Sequence, residues 1–311
     1  MILVTGASGF VGKALCTELA ARGLPFRAAS RTPRPGHVAV GEFDDRTDWS
    51  EALAGVTRVV HLAARVHVMD EQAGDPLAEF RRVNVAGTLR LARQAAEAGA
   101  RRFVFLSSIK VNGEETQPGR PFTADDTPNP QDPYGQSKLE AEQALLALGR
   151  ATGMEIVILR PPLVYGPGVQ ANFRTMLRWV KRGVPLPLGA VRNRRTLVAL
   201  DNLLDLVILC LEHPGAAQQV LLAGDGEDLS TPELLRRVAA AMGTQARLVP
   251  VPPGLLMAAA GLAGQGAVAR RLCGSLQLDL GKTRRLLGWS PRVQVDEALR
   301  RTARDFIQSG G

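Results

Sequence analysis

Tyr134 and Lys138 stand four residues apart in Tyr134-Gly135-Gln136-Ser137-Lys138. On a helix, positions i and i+4 share a face, so the phenol and the ammonium would project into the same space. A free tyrosine ionises near pH 10, and a fixed positive charge beside it favours the phenolate. The pair is therefore expected to act as a proton donor and acceptor near neutral pH. A second pattern gives it a context: Gly6-Ala7-Ser8-Gly9-Phe10-Val11-Gly12 follows the apolar run Ile2-Leu3-Val4 and precedes helical spacing at Val11, Leu15 and Leu19. A buried strand, a glycine turn and a helix in that order form a phosphate cradle. Gly6 makes the tight turn, Gly9 lets the backbone approach a pyrophosphate, and Gly12 lets the helix pack closely. Free N–H groups at the helix start attract the phosphates. The competing reading of the glycines is an ordinary strand-to-helix turn. Together the two patterns point to hydride chemistry on a carbinol or ketone beside a bound dinucleotide.

These residues need elements to hold them, and the first half of the chain alternates strands and helices. Strands are expected near Phe26 to Ala29, Val56 to Leu62, Arg102 to Leu106 and Glu155 to Leu159, with helices between them. One helix reads as Glu79 to Ala98 with Gly99 after it, and another begins near Tyr134. Such alternation builds an α/β, doubly wound parallel sheet, whose ligands lie beyond the carboxyl ends of the strands. Ser107-Ser108 falls at one such end. Beyond Arg160 the pattern is less regular, but Ser230-Thr231-Pro232-Glu233 marks a helix start with a capping side chain and a first-turn proline. The expected division is a dinucleotide domain over residues 1–165 plus roughly 190–225, and a smaller substrate part over 166–189 and 226–311.

Composition narrows the classes. The chain has 311 residues, 45% hydrophobic and 22% charged, as globular enzymes do. Its net charge of +8 comes mostly from scattered arginines, without like-charge blocks or interleaved aromatics, so no nucleic-acid partner is expected. Cys16, Cys210 and Cys273 are isolated, and His37, His61, His67 and His213 lack ligand spacing, which suggests neither disulfide nor metal. The segment Pro253 to Ala269 is apolar but interrupted and shorter than the roughly 20 residues of a membrane span, and reads as a buried or pocket-lining helix. With a first strand at residue 2, no signal peptide is expected, and the location expected is cytoplasmic.

Several further segments now bear on family: His61-Leu62-Ala63-Ala64, Asn84-Val85-Ala86-Gly87-Thr88, Phe105-Leu106-Ser107-Ser108 and Leu159-Arg160-Pro161-Pro162-Leu163-Val164-Tyr165-Gly166-Pro167. With the glycine loop and Tyr134 to Lys138, their order and spacing resemble the extended short-chain dehydrogenases/reductases, in the group of sugar-nucleotide epimerases, dehydratases and reductases. The resemblance implies a catalytic Ser108, Tyr134 and Lys138, with Ser107 as the competing serine. Ser108 would hydrogen-bond the substrate oxygen, Tyr134 exchange its proton, and Lys138 hold the nicotinamide ribose. It implies cofactor contacts from Gly6, Ser8, Gly9, Phe10, Val11, Gly12, Ser30, Arg31, Leu62, Ala63, Ala64, Asn84, Ser107 and Pro161. It implies substrate contacts from Asn172 and Phe173 at a helix start, from Arg194 (with Arg195 as competitor) and from Arg271 (or Arg270).

Within that group, dehydratases carry Asp-Glu after the catalytic residue, where this chain has Ile109-Lys110. What remains is ketone reduction at C4 of a UDP-hexose or UDP-hexosamine, the favoured reading, or 4-epimerisation with retained NAD. Ser30-Arg31 stands where NAD-preferring relatives carry an acid, and Arg31 suits the 2′-phosphate of NADP. Val66 stands where epimerases place a lysine. The segments Ser107 to Gly113 and Gly224 to Ser230 resemble UDP-glucose 4-epimerase-like proteins and reductases of UDP-4-keto-6-deoxy-N-acetylhexosamine from bacterial surface-polysaccharide synthesis. Non-catalytic relatives that sense NADP or bind RNA are the remote alternative, and a homodimer is the usual assembly.

Overall fold

The computed structural model describes residues 1–66 and 75–310, and His67 lies outside them. Among the described residues there are ten strands: β1 (Ile2–Thr5), β2 (Phe26–Ser30), β3 (His37–Ala39), β4 (Arg58–His61), β5 (Arg102–Leu106), β6 (Glu155–Arg160), β7 (Leu163–Tyr165), β8 (Arg195–Ala199), β9 (Gln219–Leu222) and β10 (Asp228–Leu229). Seven of them form one parallel sheet in the order β3-β2-β1-β4-β5-β6-β9. The chain winds outward from β1 in one direction and from β4 in the other, so a crevice opens between those two strands at their carboxyl ends. Strands such as Ile2-Leu3-Val4-Thr5 are buried along their whole length, as a sheet covered on both faces requires. One core fills each face: Leu15, Leu19, Val104, Val157 and Leu203 on one side, Leu53, Leu91, Phe103, Phe105 and Leu145 on the other.

A second, three-stranded sheet in the order β10-β8-β7 carries its own core of Tyr165, Phe173, Leu177, Leu197, Leu235 and Phe306. Thus β8 belongs to the small sheet, while the helix that follows it, Leu200–Cys210, packs on the large one.

Two helices depart from the sequence expectation. The helix expected over Glu79 to Ala98 begins earlier, at Pro76, because Asp75 caps it by accepting from Ala78 N at 3.1 Å. It also contains a π-turn, Arg82–Gly87, before continuing as Thr88–Glu97. A widened turn of that kind re-aims side chains, and here it turns Asn84 inward. The apolar stretch from Pro253 forms two helices, Pro253–Leu262 and Gly266–Cys273, packed on each other. The first has no fully buried residue, so of the expected buried or pocket-lining helix the buried alternative fails. Its interrupting Gly264 and Gln265 end the helix and fold it back, leaving Leu256 half-buried against the small-sheet core. Among the described residues no helix is long and apolar enough to cross a membrane.

Candidate active site

The glycine loop follows β1 and meets the chain leaving β4. Gly6 has φ +66°, and a side chain there would strike Ala63 N at 2.7 Å and Leu62 C at 2.8 Å. Gly12 sits on Gly6 itself: a Cβ would lie 2.1 Å from the Gly6 carbonyl oxygen. Both therefore have to be glycine for the turn to close on the β4 crossover. Gly9 is exposed, and the helix it opens, Phe10–Ala21, has no capping side chain, so its first-turn amides face the crevice mouth unclaimed by a cap. Ser8 and Phe10 are half-buried beside it. This is the backbone a pyrophosphate needs, and the residues present fit a dinucleotide. At the end of β2, Ser30 is buried and donates to Thr32 O at 2.8 Å, while Arg31 is exposed.

Behind the crevice, His61 is fully buried between the hydroxyls of Thr5, 2.7 Å from Nδ1, and Thr88, 2.9 Å from Nε2. It stacks between Phe43 and Phe105. Burial, and then the nearby Lys138 charge, hold it well below the ordinary histidine range. It is a neutral structural residue that fixes where Leu62, Ala63 and Ala64 emerge. The Thr5 hydroxyl also accepts from Ala63 N at 3.3 Å.

The helix Pro133–Thr152 carries the tyrosine. Asp132 caps it by accepting from Gly135 N at 2.6 Å, and Pro133 occupies its first turn. Its buried face is unusual because it includes Ser137, Lys138 and Glu142 as well as Ala141 and Leu145. Lys138 is 2% exposed, and its Nζ donates to Leu106 O at 2.8 Å and lies 4.2 Å from the Phe105 ring centroid. Desolvation pushes the lysine down to about 7, against the opposing pull of Glu142. Tyr134 keeps part of its surface open and meets Phe80 edge-on at 6.0 Å. Packing round it, and then the Asp132 charge, raise the phenol above the usual tyrosine range. The sequence expectation of a lysine-stabilised phenolate is thus corrected: in this state the tyrosine is a neutral phenol. Desolvation is the largest influence on both groups.

The two serines separate clearly. Ser107 is buried and donates to the Glu142 carboxylate. Glu142 in turn pairs with Arg160 at 2.5 Å, and Arg160 Nη1 donates to Asn112 Oδ1 at 2.9 Å. Ser108 is half-buried at the end of β5, where its Oγ accepts from Lys110 N at 3.3 Å and caps the short turn Ile109–Val111. Pro161 O accepts from Ile109 N at 3.0 Å and pins that turn to the end of β6. The turn packs on the tyrosine helix, where a Cβ on Gly135 would lie 2.9 Å from Lys110 O. Lys110 also pairs with Asp132, which joins the serine turn to the helix cap. Asn84 donates to Arg65 O at 3.0 Å and Ser137 Oγ at 3.0 Å and accepts from Arg65 N at 2.8 Å. Its amide is occupied in tying the chain after β4 to the tyrosine helix.

On the other side, Asn172 is exposed in the first turn of the helix Ala171–Lys181, whereas Phe173 is 2% exposed and stacks on Tyr165 at 5.5 Å as part of the small core. Arg194 is exposed. Its competitor Arg195 is spent on backbone, donating to Arg271 O at 2.9 Å and Gly274 O at 3.0 Å. That bond, with Leu276 N donating to Arg194 O, brings Arg194 and the exposed Arg271 to one neighbourhood. Sequence reasoning missed Glu142, Arg160 and Asn112. The one available signal was Glu142, four residues after Lys138 and so on the same helix face.

With this geometry in hand, comparison with known proteins is decisive. Residues 2–224 match the NAD dependent epimerase/dehydratase family. The chain belongs to that family. It is an enzyme of the sugar-nucleotide epimerase and reductase kind, built on the short-chain dehydrogenase/reductase fold. A UDP-glucose 4-epimerase of Vibrio cholerae is 44% identical over 314 residues, which cover 99% of this chain and 96% of the relative. Among solved structures, MoeE5 in complex with UDP-glucose and NAD superposes with a TM-score of 0.78 at 26% identity, over 100% of this chain and 99% of that one. The UDP-N-acetylglucosamine 4-epimerase from Bacillus cereus shares the fold with a TM-score of 0.81 at 22% identity, over 100% and 99% of the two chains.

Proposed function

We propose that this chain is a 4-epimerase of a UDP-hexose or UDP-hexosamine. The observation that carries the reading is the 44% identity, end to end, with a UDP-glucose 4-epimerase, in a chain where Ser108 opens a turn that packs on the helix carrying Tyr134 and Lys138. It moves the balance from the 4-keto reductase that the sequence favoured to its alternative.

In this reading the nicotinamide cofactor, when bound, supplies the hydride acceptor and donor. The glycine-loop amides hold its phosphates, and Leu62, Ala63 and Ala64 form the wall of the crevice. Tyr134 exchanges the proton at the sugar O4 as general base in oxidation and general acid in re-reduction. As a neutral phenol it is ready to donate, so the oxidative half needs the phenolate. An anionic ligand approaching Lys138 raises that amine and restores the charge that favours it. The Ser108 hydroxyl, held by its turn, donates to the same O4 and steadies the developing alkoxide. Asn84, through Ser137 and Arg65, positions the tyrosine helix. Asn172 and Arg194 meet the diphosphate of the substrate, with Arg271 beside them. Phe173 supports that helix from the core. A homodimer through sheet-flanking helices and a cytoplasmic location complete the reading.

Arg31 supports one second reading, a 4-keto reductase using NADPH, because an exposed cation in place of an acid suits a 2′-phosphate. Val66, in the place of the epimerase lysine, points the same way. Incubation with UDP-glucose or UDP-N-acetylglucosamine, without added cofactor, separates the two. The 4-epimer accumulates if the proposal holds, and Tyr134→Phe slows it by about a hundredfold or more. No epimer, together with NADPH consumption on a UDP-4-keto sugar, establishes the reductase instead.

A further inference from the structure

Two 45-residue stretches of this chain, 156–200 and 234–278, contain no aspartate or glutamate, yet together hold thirteen arginines and lysines. They meet in space. Leu186 N donates to Arg247 O and Val249 N to Leu186 O, both at 2.8 Å, so the segment after the Ala171–Lys181 helix runs beside the one leading into the Pro253–Leu262 helix. Acids from outside the stretches pair with two of these cations, Glu142 with the buried Arg160 and Glu227, Glu233 and Asp296 with Arg237. Arg182, Arg236, Arg247 and Arg270 are exposed there.

The same surface carries large apolar side chains facing water. Leu262 is 94% exposed and Leu255 63%, both on a helix without a fully buried residue. Val249 precedes that helix and Val268 lies on the helix packed against it, and both are exposed. Trp179 and Val184 are exposed as well and joined by a backbone hydrogen bond of 3.1 Å. The turn between them lies against Arg247, whose Nε would be 3.8 Å from a Cβ on Gly183. A tryptophan, aliphatic tips and unneutralised arginines in one region are what a membrane interface recognises.

We infer that this face docks on an anionic membrane surface, with the Pro253–Leu262 helix lying in the headgroup layer. A helix of 10 residues is too short to span, and spanning is not what the arrangement supplies. Leucine tips give the apolar anchor, and the arginines pair with lipid phosphates. The charge decides against a second copy as the occupant: a two-fold contact through this patch would set arginine against arginine, with no acid within either stretch to relieve it. Docking there would hold the enzyme at the membrane surface. It adds to the catalytic reading and does not depend on it.

The test is flotation of the full-length protein with vesicles of phosphatidylcholine and phosphatidylglycerol in equal parts, against phosphatidylcholine alone. The protein floats with the anionic vesicles, stays behind with the neutral ones, and is released by high salt. Leu255→Ser combined with Leu262→Ser lowers the bound fraction by about tenfold at an unchanged thermal midpoint. Arg247→Gln, which leaves the helix intact, lowers it by about fivefold. Failure to float with anionic vesicles, or equal flotation of all three proteins, overturns the inference. So does a fall in molecular mass of the leucine variant by light scattering, which would mark the face as a contact between copies.

Discussion

Lys138 is the residue whose state has the clearest consequence. Its amine, pushed down to about 7, leaves the folded protein holding fewer protons than the unfolded chain between that pH and the ordinary lysine range. Where the unfolded state binds more protons, stability rises with pH. Protein stripped of dinucleotide should therefore gain on the order of 1 kcal/mol from about pH 7 to pH 8, before Cys16 and Cys210, whose thiols burial pushes up, begin to act in the opposite sense. Urea midpoints at several pH values check this, and Lys138→Met should lack the rise. Arg31 makes a different prediction: Arg31→Ala weakens NADPH binding about tenfold or more and NADH binding little, read by fluorescence titration. Equal losses would remove the 2′-phosphate from the account. That Tyr134 and Lys138 share a helix was legible from their spacing, whereas Ser108 entered only through the family resemblance. The protonation of Tyr134 was not legible, because spacing says nothing about desolvation, and desolvation wins here.

At the scale of elements, the buried network of Ser107, Glu142, Arg160 and Asn112 fastens the tyrosine helix to β6 and the serine turn. Glu142 and Arg160 are both almost fully buried, so removing one partner strands a charge. Glu142→Leu should cost about 3–5 kcal/mol of unfolding free energy, and adding Arg160→Met should recover most of it. A denaturant series on both variants settles whether the network acts as a unit. The strands of the large sheet could be read from apolar runs, because a doubly covered sheet needs strands apolar on both faces. The π-turn at Arg82–Gly87 could not, since nothing in a helical periodicity marks one extra residue. Nor could the exposure of Pro253–Leu262, because apolar composition predicts burial only when a neighbour is there to cover it.

At the scale of the whole molecule, the site proposed above draws on both a seven-stranded parallel sheet and a small three-stranded sheet. The glycine turn, Ser108 and the tyrosine helix belong to the first, and Arg194 stands just ahead of β8 in the second. The order of motifs along the chain made the fold legible, since strand, glycine turn and helix recur in the sequence as they do in space. Which C4 chemistry the assembly performs rests on contacts with ligands, and Ser30-Arg31 pointed one way while the identity to an epimerase points another. The decisive measurement is the fate of a deuterium label at C4 of UDP-glucose or UDP-N-acetylglucosamine, followed by NMR in unlabelled water with purified protein. The account predicts the 4-epimer with deuterium still at C4, because one face-to-face hydride cycle returns what it removed. Epimer with the label lost to solvent, or no epimer of either sugar, would contradict it.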